Sequence, residues 1–171
     1  MKHSIVGAIL FATLLLSLAK VASAQPLIAY CTNFNVAGEW AYVETGMAVV
    51  YDQTGKVLTT VPYASVGRYT LGIDGNLSGA RTASSGGTIL KATITGTATV
   101  NPDCTGTYTA TFYDQSGNVT GSVVKFVVYV NNATEARMIV TSTPITPYPP
   151  NGTGSLGTVL TTEAKKLYPA Y

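Results

Sequence analysis

The chain has 171 residues, of which 46% are hydrophobic and 11% are charged, and its formal net charge is +2. This length fits one domain with a substantial hydrophobic core. The small charge excludes the basic surplus that proteins use to bind nucleic acid or anionic membrane surfaces, so neither is expected as a partner.

Residues 1–24 are predicted to be a secretory signal peptide. Lys2 gives a positive start, Ile5 to Leu18 form an apolar core, and Ala22-Ser23-Ala24 is a small-x-small cleavage site. We therefore expect an exported protein, secreted or periplasmic, whose mature chain is a single domain over residues 25–171. Cleavage would remove two of the ten basic residues and leave eight against eight acidic residues, a net charge of zero.

Two other fates of this first segment are open. An uncleaved membrane anchor would need about 20 apolar residues to span a bilayer, whereas Lys20 interrupts the apolar run early. A lipid anchor on Cys31 is disfavoured by the bulky Tyr30 that precedes it. No later apolar run is long enough to span a membrane as a helix.

The mature chain is predicted to consist of β-strands, because it is rich in Thr, Val, Tyr and Gly and carries turn residues at short intervals. Alternation is clearest in two segments, where Ile94, Ala98, Tyr108 and Phe112 lie on one face and threonines on the other. The predicted strands are 38–51, 62–73, 77–85, 88–100, 104–113, 119–130, 134–142 and 155–164. The first is expected to be broken near Thr45-Gly46.

Short connections make successive strands antiparallel. We therefore predict an all-β fold, an eight-stranded antiparallel up-and-down barrel, with a two-sheet β-sandwich as the alternative. Four prolines mark the segment Thr143 to Gly152 as an extended loop, either a linker or a lid over a barrel mouth. The tail from Glu163 to Tyr171 is expected to fray.

Cys31 and Cys104 are the only two cysteines. An exported chain meets an oxidising compartment, so we predict that they form a disulfide. Two free thiols or an intermolecular bridge remain as alternatives.

The residues for common catalytic chemistry are missing. The single histidine, His3, lies in the signal peptide, which removes histidine-based triads and histidine-ligated metals from the mature chain. No metal or cofactor is expected. Lys125 stands alone in an apolar strand, where it could point inward and meet a carboxylate or face solvent and protect the strand from aggregation.

Gly38-Glu39-Trp40 resembles the Gly-x-Trp opening of the first strand in lipocalins. The resemblance implies that Trp40 closes the floor of a barrel and that an arginine, here Arg137, covers it. The chain is also similar to uncharacterised secreted bacterial β-barrel proteins with an early Cys and a segment like Asp103-Cys104-Thr105-Gly106-Thr107. That resemblance implies the fold and export, and no activity.

Three functions are compatible with such a barrel. The first is binding of a small apolar or aromatic ligand by inward-facing side chains. The second is a structural or surface-interaction protein with a filled barrel. The third is an isomerase or cyclase resembling allene oxide cyclases, with Glu44, Lys125 and Tyr108 as its polar groups. The candidate ligand-binding residues are Trp40, Tyr42, Glu44, Tyr108, Phe112, Lys125 and Arg137.

Overall fold

The computed structural model describes residues 30–52, 54, 56–142, 147–148 and 154–169. The predicted signal peptide lies outside the described residues. So does the proline-rich loop, apart from Pro147–Tyr148, so its interpretation as a linker or a lid stays a prediction.

The described part of the chain consists of one short helix and nine strands. The helix α1 spans Asn33–Val36. The strands are β1 (Gly38–Tyr51), β2 (Val57–Leu71), β3 (Asn76–Ser85), β4 (Thr88–Val100), β5 (Thr105–Tyr113), β6 (Val119–Val130), β7 (Glu135–Ser142), β8 (Pro147–Tyr148) and β9 (Gly154–Pro169).

Eight of these strands close into an antiparallel up-and-down barrel, as predicted. Strands β1 to β7 pair in chain order, and β9 pairs with β7 on one side and with β1 on the other. The β1–β9 ladder runs from Gly38–Pro169 to Tyr51–Ser155. Because β1 is hydrogen-bonded along both edges, the sandwich alternative is wrong. The two-residue β8 only extends the start of β9.

Two predicted irregularities are absent from the described strands. β1 is not broken at Gly46, which pairs with Tyr63 on one side and Leu160 on the other. A side chain at Gly46 would overlap the carbonyl oxygen of Val159, so glycine permits the close approach of β9 rather than a break. β9 also stays paired with β1 to Pro169, with one bulge at Leu167, so the tail does not fray before that residue.

The alternation of side chains follows the prediction. Ile94 and Ala98 of β4 and Tyr108 and Phe112 of β5 are buried, while the threonines between them face outward. Buried residues of all eight barrel strands form one core inside the barrel. The interior of the barrel is therefore where any site for a small molecule has to be sought.

One end of the barrel, which we call the closed end, is sealed by the segment before β1. Thr32 caps α1 through a reciprocal capping box with Asn35. The predicted disulfide is confirmed: Cys31 is bonded to Cys104, and their Cα atoms are 4.9 Å apart. The backbone N–H of Cys31 also donates to the carbonyl of Pro102. These contacts hold Val36, which is fully buried, against the floor of the barrel.

The opposite end, which we call the open end, is less covered by the residues that the structure describes. Leu90 is opposite the buried Ala83 in the β3–β4 ladder and so shares its inward face. Even so, 45% of Leu90 is exposed. The hairpins β3–β4 and β5–β6 both turn at this end. A molecule that enters the barrel would therefore enter here.

Candidate ligand site inside the barrel

An aromatic cluster fills the barrel from the closed end to its middle. The ring of Trp40 is stacked on that of Tyr69 with 6.2 Å between centroids, and Tyr129 packs on Trp40 at 6.0 Å. Toward the middle of the barrel, the ring centroid of Tyr69 lies 5.5 Å from that of Tyr108 and 6.0 Å from that of Tyr42. Because these rings contact each other directly, the lower half of the barrel is filled by its own side chains.

Trp40 lies at the closed end of the barrel, next to Val36. It is fully buried, and its indole N–H donates to the carbonyl of Val36 at 3.0 Å. The cation over its ring is not Arg137 but Lys166, whose Nζ lies 5.2 Å from the ring centroid. Lys166 is opposite Trp40 in the β1–β9 ladder and also donates to the carbonyl of Asn35.

The predicted role of Arg137 is wrong. Arg137 lies between the buried residues Ala136 and Met138, so the two-residue period of β7 turns its side chain outward. There it lies 3.4 Å from Glu163 and 3.6 Å from Glu135, with about half of its side chain exposed. Arg137 is therefore not part of the interior site.

A buried polar triad lies directly above the aromatic cluster. Lys125 Nζ donates to the carboxylate of Glu44 and, at 2.9 Å, to the hydroxyl of Thr162. The Thr162 hydroxyl donates in turn to Glu44 at 2.8 Å. All three side chains are almost fully buried. Lys125 thus points inward and meets a carboxylate, and the alternative in which it faces solvent is wrong.

Burial sets the protonation chemistry of this layer. It lowers the pKa of Lys125, and the carboxylate of Glu44 opposes that shift by raising the pKa. Burial also raises the pKa of Tyr42 to about 12 and that of Tyr129 to about 12, and it raises the pKa of Tyr69 and Tyr108 further. The phenols therefore stay protonated, and they can only act as neutral hydrogen-bonding groups near pH 7.

The three residues considered for cyclase chemistry do lie together. Lys125 Nζ is 5.7 Å from the ring centroid of Tyr108 and hydrogen-bonded to Glu44. However, the lysine and the glutamate are hydrogen-bonded to each other and to Thr162, so their polar groups already have partners within the protein.

Arg81 on β3 is a second inward-facing cation, partly buried, which sequence patterns do not single out. Its Cζ lies 3.5 Å from the ring centroid of Phe112, and its Nη1 donates to the hydroxyl of Tyr63 at 2.8 Å. Its Nε is buried without a hydrogen-bond partner among the described residues. Arg81 and the predicted site residue Phe112 thus form one layer on the side of the open end.

Three buried polar atoms in the described part of the chain have no hydrogen-bond partner, and all three belong to inward-facing residues. They are Ser65 Oγ, Arg81 Nε and Thr158 Oγ1. Ser65 is opposite the buried Glu44, and Thr158 is opposite the buried Ala48, so each shares an inward face. Buried polar groups in native proteins are nearly always hydrogen-bonded to protein, water or ligand. All three atoms thus lie on the inner wall of the barrel.

There is also open space beside the inner wall near Phe112. Gly121 is opposite the buried Phe112 in the β5–β6 ladder, so a side chain at this position would point inward. A Cβ atom added at Gly121, which is part-exposed near the open end, would meet no atom of the described residues within 4 Å. At Gly67, by contrast, an added Cβ would lie 2.7 Å from the ring of Tyr42. Among the described residues, the inner wall is thus less crowded near Phe112 than near Tyr42.

The two concave surfaces on the outside of the barrel are shallower candidates. One, of about 630 Å³, is lined mainly by outward-facing residues of β2, β3 and β4, and the other, of about 420 Å³, lies across β6, β7 and β9. Both are open grooves without a buried polar atom that lacks a partner, other than the Arg81 already assigned to the interior. We therefore place the candidate site inside the barrel.

The remaining carboxylates are structural. Asp74, Asp103 and Asp114 each accept backbone N–H bonds two residues onward in exposed turns. Within the described residues, no group of three or more His, Cys, Asp or Glu side chains is arranged to hold a metal ion. Likewise, no described helix is long and apolar enough to cross a membrane.

Comparison with known protein families, curated proteins and solved structures finds no match.

Proposed function

We propose that this protein is an exported barrel that binds a small apolar or aromatic ligand through its open end. The observation that carries the proposal is that open space in front of Gly121, opposite Phe112, lies on the same level as Arg81, whose buried Nε has no hydrogen-bond partner among the described residues. The predicted signal peptide supports export, and the Cys31–Cys104 disulfide is compatible with an oxidising compartment.

The site has a floor, a wall and an entrance. The triad of Glu44, Lys125 and Thr162 bounds the site on the side of the closed end. Its members are hydrogen-bonded to each other. Phe112 supplies an apolar wall, and Leu90 lies at the entrance. An apolar surface with few polar groups is typical of pockets for small organic ligands.

Native mass spectrometry tests the proposal directly. The mature protein is incubated with four probes, which are dodecanoate, 1-dodecanol, 1-naphthoate and 1-naphthol, and retention and thermal shift are measured. We expect at least one probe to be retained and to raise the melting temperature. Retention of none, with no thermal shift, would overturn the proposal in favour of a filled structural barrel.

A variant pair locates the site. Gly121→Met directs a side chain into the free space, whereas Ser122→Met places the same side chain on the opposite face of β6. We expect Gly121→Met to weaken binding of a retained probe at least tenfold and Ser122→Met to leave it unchanged. Equal effects of the two variants would place the ligand elsewhere.

A further inference from the structure

We propose that the natural ligand of this barrel is an organic acid, and that its carboxylate pairs with Arg81. The inference rests on the proposed function and adds the chemical class of the ligand. It also assigns a specificity-determining role to a residue that sequence patterns did not select.

The charges inside the barrel do not balance. Three charged side chains point into its middle, namely Glu44, Lys125 and Arg81. The carboxylate of Glu44 is already bonded to Lys125 and Thr162. No carboxylate of the described residues lies within salt-bridge distance of Arg81, since every described ion pair involves other residues. Among the described residues, the middle of the barrel therefore carries one positive charge in excess, apart from Lys166 over Trp40 at the closed end.

Arg81 cannot remove this charge by losing a proton, because a guanidinium stays protonated in proteins. A charge that is removed from water even in part is unfavourable without a counter-ion, and protein interiors normally supply one. The positive charge of Arg81 also acts on its neighbours: it adds to the lowering of the Lys125 pKa by burial, and it opposes the rise that burial causes in the Tyr42 pKa. A ligand that brings one negative charge would balance the interior.

Contacts with Phe112 and Tyr63 fix the orientation of the Arg81 guanidinium. One of its faces lies on the ring of Phe112, and Nη1 is engaged by the hydroxyl of Tyr63. Nε has no partner among the described residues. The edge that contains Nε is one that a carboxylate can bind with two parallel hydrogen bonds. Because packing already fixes the orientation, little conformational entropy is lost on binding.

A neighbouring hydroxyl favours the same ligand. Ser65 lies on β2, one inward-facing position from Gly67, which is opposite Arg81 in the β2–β3 ladder. Its Oγ is buried beside the phenols of Tyr42 and Tyr63 and makes no hydrogen bond of full geometry to the described residues. A serine hydroxyl donates readily to a carboxylate oxygen. A single arginine and neutral donors suit a monoanion better than a phosphate group, which carries more charge.

Matched ligands test the inference. Dissociation constants are measured at pH 7 by calorimetry or dye competition for two pairs, dodecanoate with 1-dodecanol and 1-naphthoate with 1-naphthol. We expect the acid of at least one pair to bind ten or more times more tightly than its alcohol. Arg81→Met should reduce the affinity for the acid to that for the alcohol, and Arg81→Lys should retain part of the preference. Arg68→Met, which changes an exposed arginine on β2, is the control and should behave as the wild type.

The outcomes separate the two proposals. Equal binding of acid and alcohol by the wild-type protein would overturn the role of Arg81 but leave the binding function intact. If no probe binds the wild type, the binding function itself is wrong. Should Arg81→Met fail to fold, a pH series on the wild type decides: the preference for the acid must disappear as the ligand carboxylate becomes protonated, while alcohol binding stays constant. A preference that persists would contradict the inference.

Discussion

Glu44 on β1 and Lys125 on β6 bind each other across the interior of the barrel, although their strands are not neighbours in the sheet. The pair links two opposite walls and separates the filled lower half from the upper half, where free space remains. Both side chains are almost fully buried. Desolvation of such a pair is costly, so its presence specifies an arrangement more than it adds stability.

Removing one partner of this pair should be far more costly than removing both. We expect Glu44→Gln to lower the free energy of unfolding by about 3–5 kcal/mol, because it leaves the buried Lys125 without its carboxylate. The double variant Glu44→Gln/Lys125→Met should lie within about 1 kcal/mol of the wild type. Urea unfolding followed by circular dichroism gives both values.

The exposed pair of Glu39 and Arg68 is the matched control, because about half of each side chain is in solvent. Glu39→Gln should cost about 0–1 kcal/mol. A loss in Glu44→Gln no larger than in Glu39→Gln would contradict the buried interaction.

The disulfide should contribute strongly to stability, because it joins residues 73 positions apart. The chain-entropy relation gives about 4 kcal/mol for a loop of this length. Cys31→Ala/Cys104→Ala should lose an amount of this order from the free energy of unfolding, measured in urea.

Cys104 also has a φ of 65°, a left-handed conformation that glycine adopts at lower cost. Cys31→Ala/Cys104→Gly should therefore be more stable than the double alanine variant by about 1 kcal/mol, and the reverse order would show that the turn relaxes.

Two glycines should respond oppositely to alanine. An added Cβ at Gly67 would lie 2.6 Å from the carbonyl oxygen of Ala80 and 2.7 Å from the ring of Tyr42, so Gly67→Ala should cost about 1–3 kcal/mol. At Gly121 the Cβ meets open space, and Gly121→Ala should be neutral or stabilising by about 0.4–1 kcal/mol. Thermal unfolding of both variants checks the prediction. A destabilised Gly121→Ala would argue against the free space near Phe112.

Stability should fall at alkaline pH. Burial raises the pKa of Tyr42 and of Tyr129 to about 12, above the ordinary value of 10.0. A raised pKa of an acid in the folded state means that the unfolded chain releases the proton first. The stabilisation is thus complete below pH 10 and is lost as pH rises toward 12.

Each such tyrosine contributes a slope of up to about 1.4 kcal/mol per pH unit. Urea unfolding between pH 9 and 11.5 measures the decline, and Tyr129→Phe should reduce it, since phenylalanine has no proton to lose. The lowered pKa of Lys125 acts in the opposite direction, because the unfolded chain then binds the extra proton. A flat profile would mean that the phenols are not desolvated.

Periodicity was sufficient to predict the strands and their inward faces. The alternation around Ile94 and Tyr108 is strict, and a one-residue shift would have exposed every apolar side chain. The end of β9 was not predictable in this way. Glu163, Lys165 and Lys166 make the segment look like a solvated tail, and only its pairing with β1 keeps it in the barrel.

The site was only partly predictable, because a lone charge does not reveal its partner. Glu44 and Lys125 were both candidates from sequence, yet nothing local shows that β1 and β6 face each other. Arg81 was missed because its strand contains Ser, Gly, Ala and Thr, which give little contrast between the two faces. Its inward position follows from the ladder with β2, where it is opposite Gly67. Lys166 replaces Arg137 over Trp40 for the same reason: strand pairing, and not sequence order, places it there.

The pairing of β1 with β9 makes the barrel depend on a strand that is translated more than 100 residues after β1 begins. While the chain is being synthesised, β1 and β7 each present a row of free backbone donors and acceptors until β9 is available. Contacts between such distant segments form slowly, and unfinished sheets associate with one another. A chain truncated before Gly154 would therefore not form a smaller barrel but an open sheet that aggregates through two unsatisfied edges.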